Sequence, residues 1–378
     1  MEVFWPIFLS LAYLIIGAYA IMIFYAISGW NKLKIAQETE PKLSVTILIA
    51  ARNEAKNIRS LLQNLKEQSY PKELFEIIVI DDHSEDQTQT LAQEMAADLP
   101  NLRVLENQQG QGKKAALTTG ISEAKFPISA TIDADCHVSF DWLSSMMANW
   151  SSTTKMLLGP VVLSPTSSML EKIQSMEMMA IMGLTGGFAA HQKPIMANGA
   201  NLFFSRNAFE ETGGHSQENN PSGDDVFVML QLAEKWPNSI QFVKDFRAIV
   251  QTAPQPDLRS FWQQRKRWLS KKGGYSNSMV KLTAIISYAA NAMGLVALLV
   301  SIATFGSTVS EMLIWFLFIK TVLDLIIIRK VRTDLNPICG IGSIIYAEIF
   351  ILVYVTLLGI FGNVKNYTWK GRSVNVKK

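Results

Sequence analysis

Cysteine is nearly absent from this chain. Of 378 residues only Cys136 and Cys339 carry a thiol, in different regions, which leaves no disulfide framework. Charge is also sparse, at 18% of residues against 49% hydrophobic ones, with a mean hydropathy of +0.16. That balance is too apolar for an ordinary cytosolic enzyme. The net charge of +3 gives general nucleic-acid binding no support. No internal repeat or low-complexity tract appears. Between residues 31 and 281 no apolar run is long enough to cross a bilayer.

Long uncharged runs are confined to the two ends. Residues 3–30 and 282–310 contain no charged side chain, and each exceeds the roughly 20 residues that span a hydrocarbon core. Residues 312–328 and 336–364 are further candidates, interrupted only by Lys320, Asp324 and Glu348. Lys320 and Asp324, four apart, are expected to pair, with Glu348 alone in the next run. The expected plan is an N-terminal transmembrane helix (1–30), a soluble domain (42–275), a C-terminal membrane region (280–364) of about three helices, and a basic tail (365–378). The first run has no basic residue before it, whereas Lys32 and Lys34 follow. It therefore reads as an uncleaved span with the soluble domain in the cytoplasm. Three full C-terminal spans would put the tail outside, against its positive charge. A basic stretch precedes the second apolar run: Arg259, Arg265, Lys266, Arg267, Lys271, Lys272 and Lys281 accompany one acid, Asp257. Positive-inside topology and attraction to anionic headgroups account for most of these, Arg265 included.

Within the soluble domain, residues 43–50 form a continuous β-branched run, as a buried parallel strand requires. Residues 57–68 then show helical spacing. Strands at 75–80, 102–105 and 128–132 alternate with helices over 87–97 and up to 124, which predicts βαβ units and an α/β fold with a doubly wound, mostly parallel sheet. Polar residues gather where the strands end, the side on which such sheets bind ligands. These are Asn53 and Glu54, Asp81 and Asp82, Lys113, and Asp133 with Asp135.

Several of these residues suggest chemistry by type and spacing. Gly110-Gln-Gly112-Lys113 is a loop before a helix, suited to an anion, although it lacks the full spacing of a P-loop. Lys113 either meets a phosphate or orients Asp133. Asp133 and Asp135, two apart at a strand end, offer hard oxygens for Mg²⁺ or Mn²⁺. His137 either approaches that ion or is an ordinary loop histidine. Residues 199–206 read as a strand whose small residues let backbone approach a ligand. Asp224 and Asp225 open an amphipathic helix, either as catalytic acids or as plain helix caps. Gln264, Arg267 and Trp268 stand at i, i+3 and i+4 on one helical face; the arginine suits a diphosphate and the tryptophan a sugar ring. The methionine-rich stretch 169–190 reads as core packing or as the floor beneath a lipid.

Taken in order, Ala-Arg-Asn-Glu, Val-Ile-Asp-Asp-x-Ser-x-Asp-x-Thr, Gly-Lys-x-x-Ala-Leu, Asp-x-Asp, Gly-Asp-Asp and Gln-x-x-Arg-Trp resemble the family 2 glycosyltransferases of GT-A fold. The resemblance runs from residue 44 to about 274. It implies a donor site in which Glu54 and Asp82 hold base and ribose, Ala50 and Ala51 give backbone contacts, and Lys113, Asp133, Gln264, Arg267 and Trp268 complete the contacts. It further implies Asp135 on the metal, Gly199, Ala200 and Asn201 in the sugar and acceptor pocket, and Asp225 as base with Asp224 beside it. The flanking helices look like those of bacterial inner-membrane members that glycosylate ceramide-like, hopanoid, carotenoid or diacylglycerol lipids from a nucleotide sugar, which the resemblance implies is UDP-linked. A processive polysaccharide synthase of the cellulose or hyaluronan type is the alternative.

Overall fold

The structure is a computed structural model that describes residues 3–37, 43–164, 168–214, 224–270, 277–335, 344–361, 366–369 and 372–375. Cys339, His215 and Gly223 lie outside the described residues, as does the side chain of Asp224.

The chain enters through helix α1 (Phe4–Lys32) and then builds a sheet. Strands β1 (Val45–Ala51), β2 (Phe75–Asp81), β3 (Leu102–Glu106) and β4 (Ile128–Thr131) lie parallel in the order β3-β2-β1-β4. All of β2 and nearly all of β1 is buried, so both read as unbroken apolar runs rather than alternating ones. Helices α2 (Ile58–Lys66), α3 (Thr88–Ala97) and α4 (Lys113–Ser122) make the crossovers. On α2, Ile58, Leu61, Leu62 and Leu65 form the buried stripe that the sequence spacing predicts.

Beyond β4 the pattern changes. A short strand β5 (His137–Val138) and helix α5 (Trp142–Met147) lead to β6 (Met156–Leu158), β7 (Val161–Leu163) and the long α6 (Met169–Ala190). Next come β8 (Leu202–Ser205), α7 (Arg206–Glu211), α8 (Asp224–Lys235), β9 (Ile240–Phe242) and β10 (Val250–Thr252). The main sheet has seven strands in the order β3-β2-β1-β4-β8-β6-β9. It is mostly parallel, with β8 antiparallel to both of its neighbours. Strands β5, β10 and β7 form a second, three-stranded sheet. The strand expected over residues 199–206 is shorter than its sequence pattern, because residues 199–201 form a turn before β8.

Helix α9 (Leu258–Ser270) closes the soluble part, and α10 (Ser278–Ala303), α11 (Thr308–Leu335) and α12 (Ile344–Phe361) follow. Among the described residues α1, α10 and α12 are long and apolar enough to cross a membrane. Helix α11 is 28 residues long but carries Glu311, Lys320, Asp324 and Arg329, so two rather than three of the C-terminal helices meet that measure. A hairpin of β11 (Asn366–Trp369) and β12 (Arg372–Asn375) ends the described chain, with β11 lying against α9. The tail therefore returns to the side of the molecule that carries the soluble part.

Helix α6 joins the two parts. Its backbone meets that of α1 where Gly187 crosses Ala26, so closely that a Cβ on Gly187 would strike the Ala26 carbonyl. Trp30 at the end of α1 is buried and donates from Nε1 to Asp334 Oδ2 at 2.7 Å, and Lys244 reaches the same carboxylate at 3.6 Å. Deeper in the bundle the Tyr19 hydroxyl donates to Asp324. Lys320 there pairs with Asp324 at 2.7 Å, as expected, but also with Glu348 at 2.7 Å. Glu348 is thus not alone: the fold brings α12 to the Lys320 ammonium.

Candidate active site

One end of the site begins at the loops after β1, β2 and β3. Gly112 sits at φ +100°, ψ 164°, a conformation essentially reserved for glycine and costing another residue on the order of 1–3 kcal/mol, and its N–H donates to both Asp82 carboxylate oxygens at 3.0 Å. Asn107 Nδ2 donates to Asp82 Oδ1 at 2.8 Å. Asp82 is only 1% exposed, so its carboxylate ties down the glycine loop from behind. Asp81 braces its own turn by accepting from the Ser84 N–H at 3.0 Å. Glu54 is held by Asn57, whose Nδ2 donates to Oε2 at 2.7 Å, and its own N–H donates to Thr88 Oγ1 at 2.7 Å.

The charged centre lies after β4. Asp133 and Asp135 occupy a turn beyond the strand, closed by the Cys136 N–H donating to the Asp133 carbonyl at 3.1 Å, rather than an extended strand end. Lys113, the first residue of α4, forms an ion pair with Asp133. Burial alone would lower the pKa of the Lys113 ammonium, but the charge and hydrogen bond of Asp133, with Asp225 beyond it, raise it on balance. The Asp135 carboxyl is pushed up by desolvation and then by Asp133, opposed by Lys113 and Arg267. Burial beside both acids also holds the Cys136 thiol well above its ordinary value.

Asp225, near the start of α8, faces this centre. Its Oδ2 accepts from the Gly199 N–H at 3.1 Å and its Oδ1 from the Val226 N–H at 2.9 Å. A Cβ on Gly199 would sit 3.3 Å from Lys113 Nζ and 3.8 Å from Asp225 Oδ2, so the missing side chain leaves room between the Asp225 carboxylate and the Lys113 ammonium. Arg267 is close enough to act on both Lys113 and Asp135.

One cavity of about 2030 Å³ collects most of the residues singled out from the sequence. Glu54, Lys113, Asp133, Asp135 and Asp225 line it, with Gly199 and Ala200 on the wall and Gln264, Arg267 and Trp268 from α9. Several others are not brought to it. Ala51 is buried and its neighbour Ala50 lines the cavity instead, while Asp82 stays behind the loop. Asn201 also stands apart. Its Nδ2 donates to the carbonyls of Pro160 and Ala248 at 2.9 Å each, and its Oδ1 accepts from Trp142 Nε1 at 3.2 Å. Its amide is spent fastening the wall. His137 likewise contacts Ser60 Oγ at 3.3 Å and does not line the cavity.

Sequence reasoning misplaced one arginine. Arg265 is 3% exposed and does not face headgroups. Its guanidinium pairs with Glu177 of α6, donates to Gln264 Oε1 at 2.6 Å, and lies 4.4 Å from the ring centre of Phe261 and 4.2 Å from that of Trp268. The Tyr354 hydroxyl of α12 donates to the other oxygen of Glu177. Nothing local in the sequence marks Glu177 or Tyr354. The methionines Met176, Met178 and Met182 of α6 are buried and also line the cavity, so packing and floor coincide.

The family described as "Glycosyl transferase family 2" matches residues 46–213, and "Glycosyl transferase family group 2" matches residues 130–359. The chain is 29% identical over 238 residues to a beta-monoglucosyldiacylglycerol synthase of Trichormus variabilis, covering 61% of this chain and 49% of that one. It is 31% identical over 286 residues to a poly-beta-1,6-N-acetyl-D-glucosamine synthase of Staphylococcus aureus, covering 72% and 64%. A 115-residue stretch is 35% identical to glycosyltransferase AglE of Haloferax volcanii, covering 30% and 38%. The chain thus spans about half the length of the curated relatives it matches. Among solved structures, a mannosyltransferase from Pyrobaculum calidifontis, held with GDP-Man and Mn²⁺, superposes with a TM-score of 0.58 at 19% identity, over 92% of this chain and 99% of that one. The shared fold is of the GT-A type.

Proposed function

The chain belongs to the family 2 glycosyltransferases, and we propose that it moves one sugar from a nucleotide-sugar donor, UDP-linked, to a membrane lipid with inversion at the sugar carbon. One observation carries this reading. The cavity that holds Asp133, Asp135 and Asp225 continues between membrane helices, where Ala284 and Ser287 of α10 and Ile351 and Val355 of α12 line it. Ligand cavities commonly measure about 300–1,000 Å³, so this one has room for a nucleotide sugar and an apolar acceptor together. In this reading residues 42–275 form the catalytic domain, on the cytoplasmic face of a bacterial inner membrane.

The chemistry follows from the charges. The Asp225 carboxylate, fixed by two backbone N–H groups, takes the proton of the acceptor hydroxyl as that oxygen attacks the sugar carbon. Glu54 meets the nucleoside. Lys113 and Arg267 counter the charge that develops on the departing diphosphate. Trp268 offers a flat wall to the sugar or acceptor, and Gln264 a hydrogen bond to a hydroxyl. Asp224 is assigned as the neighbour of the base from its position alone. The donor set suits Mg²⁺ or Mn²⁺. Among the described residues no cluster of three or more His, Cys, Asp or Glu gathers, but one or two carboxylates with substrate phosphates are the usual holders of such an ion. Asp135, with Asp133 beside it, would hold the cation, which when bound neutralises diphosphate charge.

The test is product analysis. Membranes containing the chain, supplied with UDP- and GDP-sugars, should yield a lipid carrying a single sugar, seen by mass spectrometry. A long polymer in its place would favour the second reading, a processive polysaccharide synthase, for which the 72% coverage by the poly-N-acetylglucosamine synthase is the supporting observation.

A further inference from the structure

Lys113 serves two neighbours at once. Its ammonium pairs with Asp133, the carboxylate beside Asp135. A Cβ on Gly199 would lie 3.3 Å from that Nζ and 3.8 Å from Asp225 Oδ2, which brings Asp225 near the same charge. Arg267 acts on both Lys113 and Asp135. The pair is not sealed off. The Lys113 and Asp133 side chains are 33% and 41% exposed and both line the cavity, so a ligand there reaches the ammonium without unpacking the fold. Lys113 is also the first residue of α4, and the partial positive charge of a helix N-terminus draws an anion to the same place. A lysine, unlike an arginine, is a compact charge on a flexible stem with three rotatable donors, and it changes partners readily.

These placements set up a competition. An ammonium and a divalent cation that share the Asp133 carboxylate both draw on it, and they repel each other across it. With the ammonium on Asp133, what remains for the ion is Asp135. Ions of this kind take one or two carboxylates and rely on substrate phosphates to complete their ligands. A diphosphate therefore acts on both sides of the balance. It offers acceptor oxygens to Lys113 and ligand oxygens to the ion.

We propose that Lys113 makes cation binding conditional on the donor: it withholds Asp133 from the divalent ion until a diphosphate draws its ammonium away. The inference rests on the assignment of the cation to Asp133 and Asp135, and it adds an order, in which the ion enters with the nucleotide or after it. By linkage, the ion then tightens the nucleotide by the same factor as the nucleotide tightens the ion. Any ion that bridges carboxylate and phosphate couples the two to some degree. The share that belongs to Lys113 is the part that disappears with its charge.

The experiment uses the full chain in detergent micelles and reads binding, not turnover. Free Mn²⁺ is counted from its EPR signal with and without UDP, and a protein-free blank subtracts the ion that UDP holds by itself. In the unaltered chain UDP should tighten Mn²⁺ at least about tenfold, within the roughly 5–150-fold range of coupled sites. Lys113→Gln keeps a hydrogen-bond donor for Asp133 but removes the charge. Without UDP this variant should bind Mn²⁺ at least about tenfold more tightly than the unaltered chain, as removal of a like charge at close range requires. It should also bind UDP alone more weakly. These shifts run in opposite directions, whereas a damaged fold would weaken both. Lys113→Arg keeps the charge and should keep the weak binding of the bare ion. Adding Asp135→Asn to Lys113→Gln should abolish the gain. Mn²⁺ bound as tightly without UDP as with it by the unaltered chain, which needs no variant to fold, would overturn the proposal. So would a Lys113→Gln variant whose bare-ion affinity does not rise. If no Mn²⁺ binds even with UDP present, the assignment of the cation to the acid pair fails first.

Discussion

Replacing Arg265 by alanine tests the architecture most directly, because two arginines only two residues apart are assigned opposite duties. The Arg265–Glu177 pair is nearly closed off, with side chains 4% and 14% exposed. Surface ion pairs contribute about 0–1 kcal/mol, but removing one partner of a buried pair costs about 3–5 kcal/mol, because the other charge is stranded. Loss of the guanidinium between the Phe261 and Trp268 rings adds about 0.5–2 kcal/mol. Against a total stability of roughly 5–15 kcal/mol, this is a large loss, and at about 2–4 °C per kcal/mol it lowers the melting temperature by on the order of 10 °C. Arg267→Ala should lower it far less, since that side chain lines the cavity, but should reduce transfer by at least about tenfold, the effect of losing roughly 1.5–3 kcal/mol of charge-assisted bonding. The assay is thermal unfolding of the detergent-solubilised full chain, paired with transfer to lipid extract. A double cycle of Arg265→Ala with Glu177→Gln adds a sharper criterion. The double variant should be less damaged than the sum of the two singles, by roughly 0.5–3 kcal/mol. Strict additivity, or equal losses of stability and turnover from the two arginine variants, would refute the assignment.

Asp135→Asn should abolish turnover, and EDTA should do the same reversibly, with Mg²⁺ or Mn²⁺ restoring activity; full activity in chelator would remove the acid pair from the reaction. Asp225→Asn should leave UDP binding by calorimetry intact while transfer falls roughly 10²–10⁴-fold, the contribution of general-base catalysis. Gly187→Ala should lower the melting temperature, because a methyl group must displace the Ala26 backbone and overpacking costs about 1–3 kcal/mol; unchanged melting would mean that α1 and α6 cross less closely than described.

The first half of the sheet was open to reading because β1 and β2 are buried on both faces and so appear as uninterrupted apolar runs. The residues at their ends then fell on the ligand side by topology. The second half was not. Strands β6, β7, β9 and β10 span three residues each, too few for a period to emerge, and β8 runs antiparallel, which crossover helices do not announce. Within the site, types and spacing led to the acids and to the face of α9, but not to which polar groups are consumed internally. Asn201 and Asp82 carry the residue types a sugar site uses, and their hydrogen bonds go to Trp142, Pro160 and Ala248 and to the glycine loop.

Arg265 and Arg267 show where the limit lies. Successive residues turn about 100° around a helix, so two residues apart point to nearly opposite faces. A basic stretch read as a sum hides that difference. What decides which arginine is buried is Glu177, 88 residues earlier, and what completes the burial is Tyr354, about as far downstream. The same holds for Glu348, which looks isolated until α12 meets Lys320. In both cases the deciding partner lies on a helix of the membrane-facing bundle or the α6 connector. Helix α9 is thus set from below. Gln264 and Trp268 touch Arg265, Arg265 touches Glu177, and Glu177 is held by a residue of α12. Helices long and apolar enough to cross a membrane thus also fix the angle at which Trp268 and Gln264 enter the cavity.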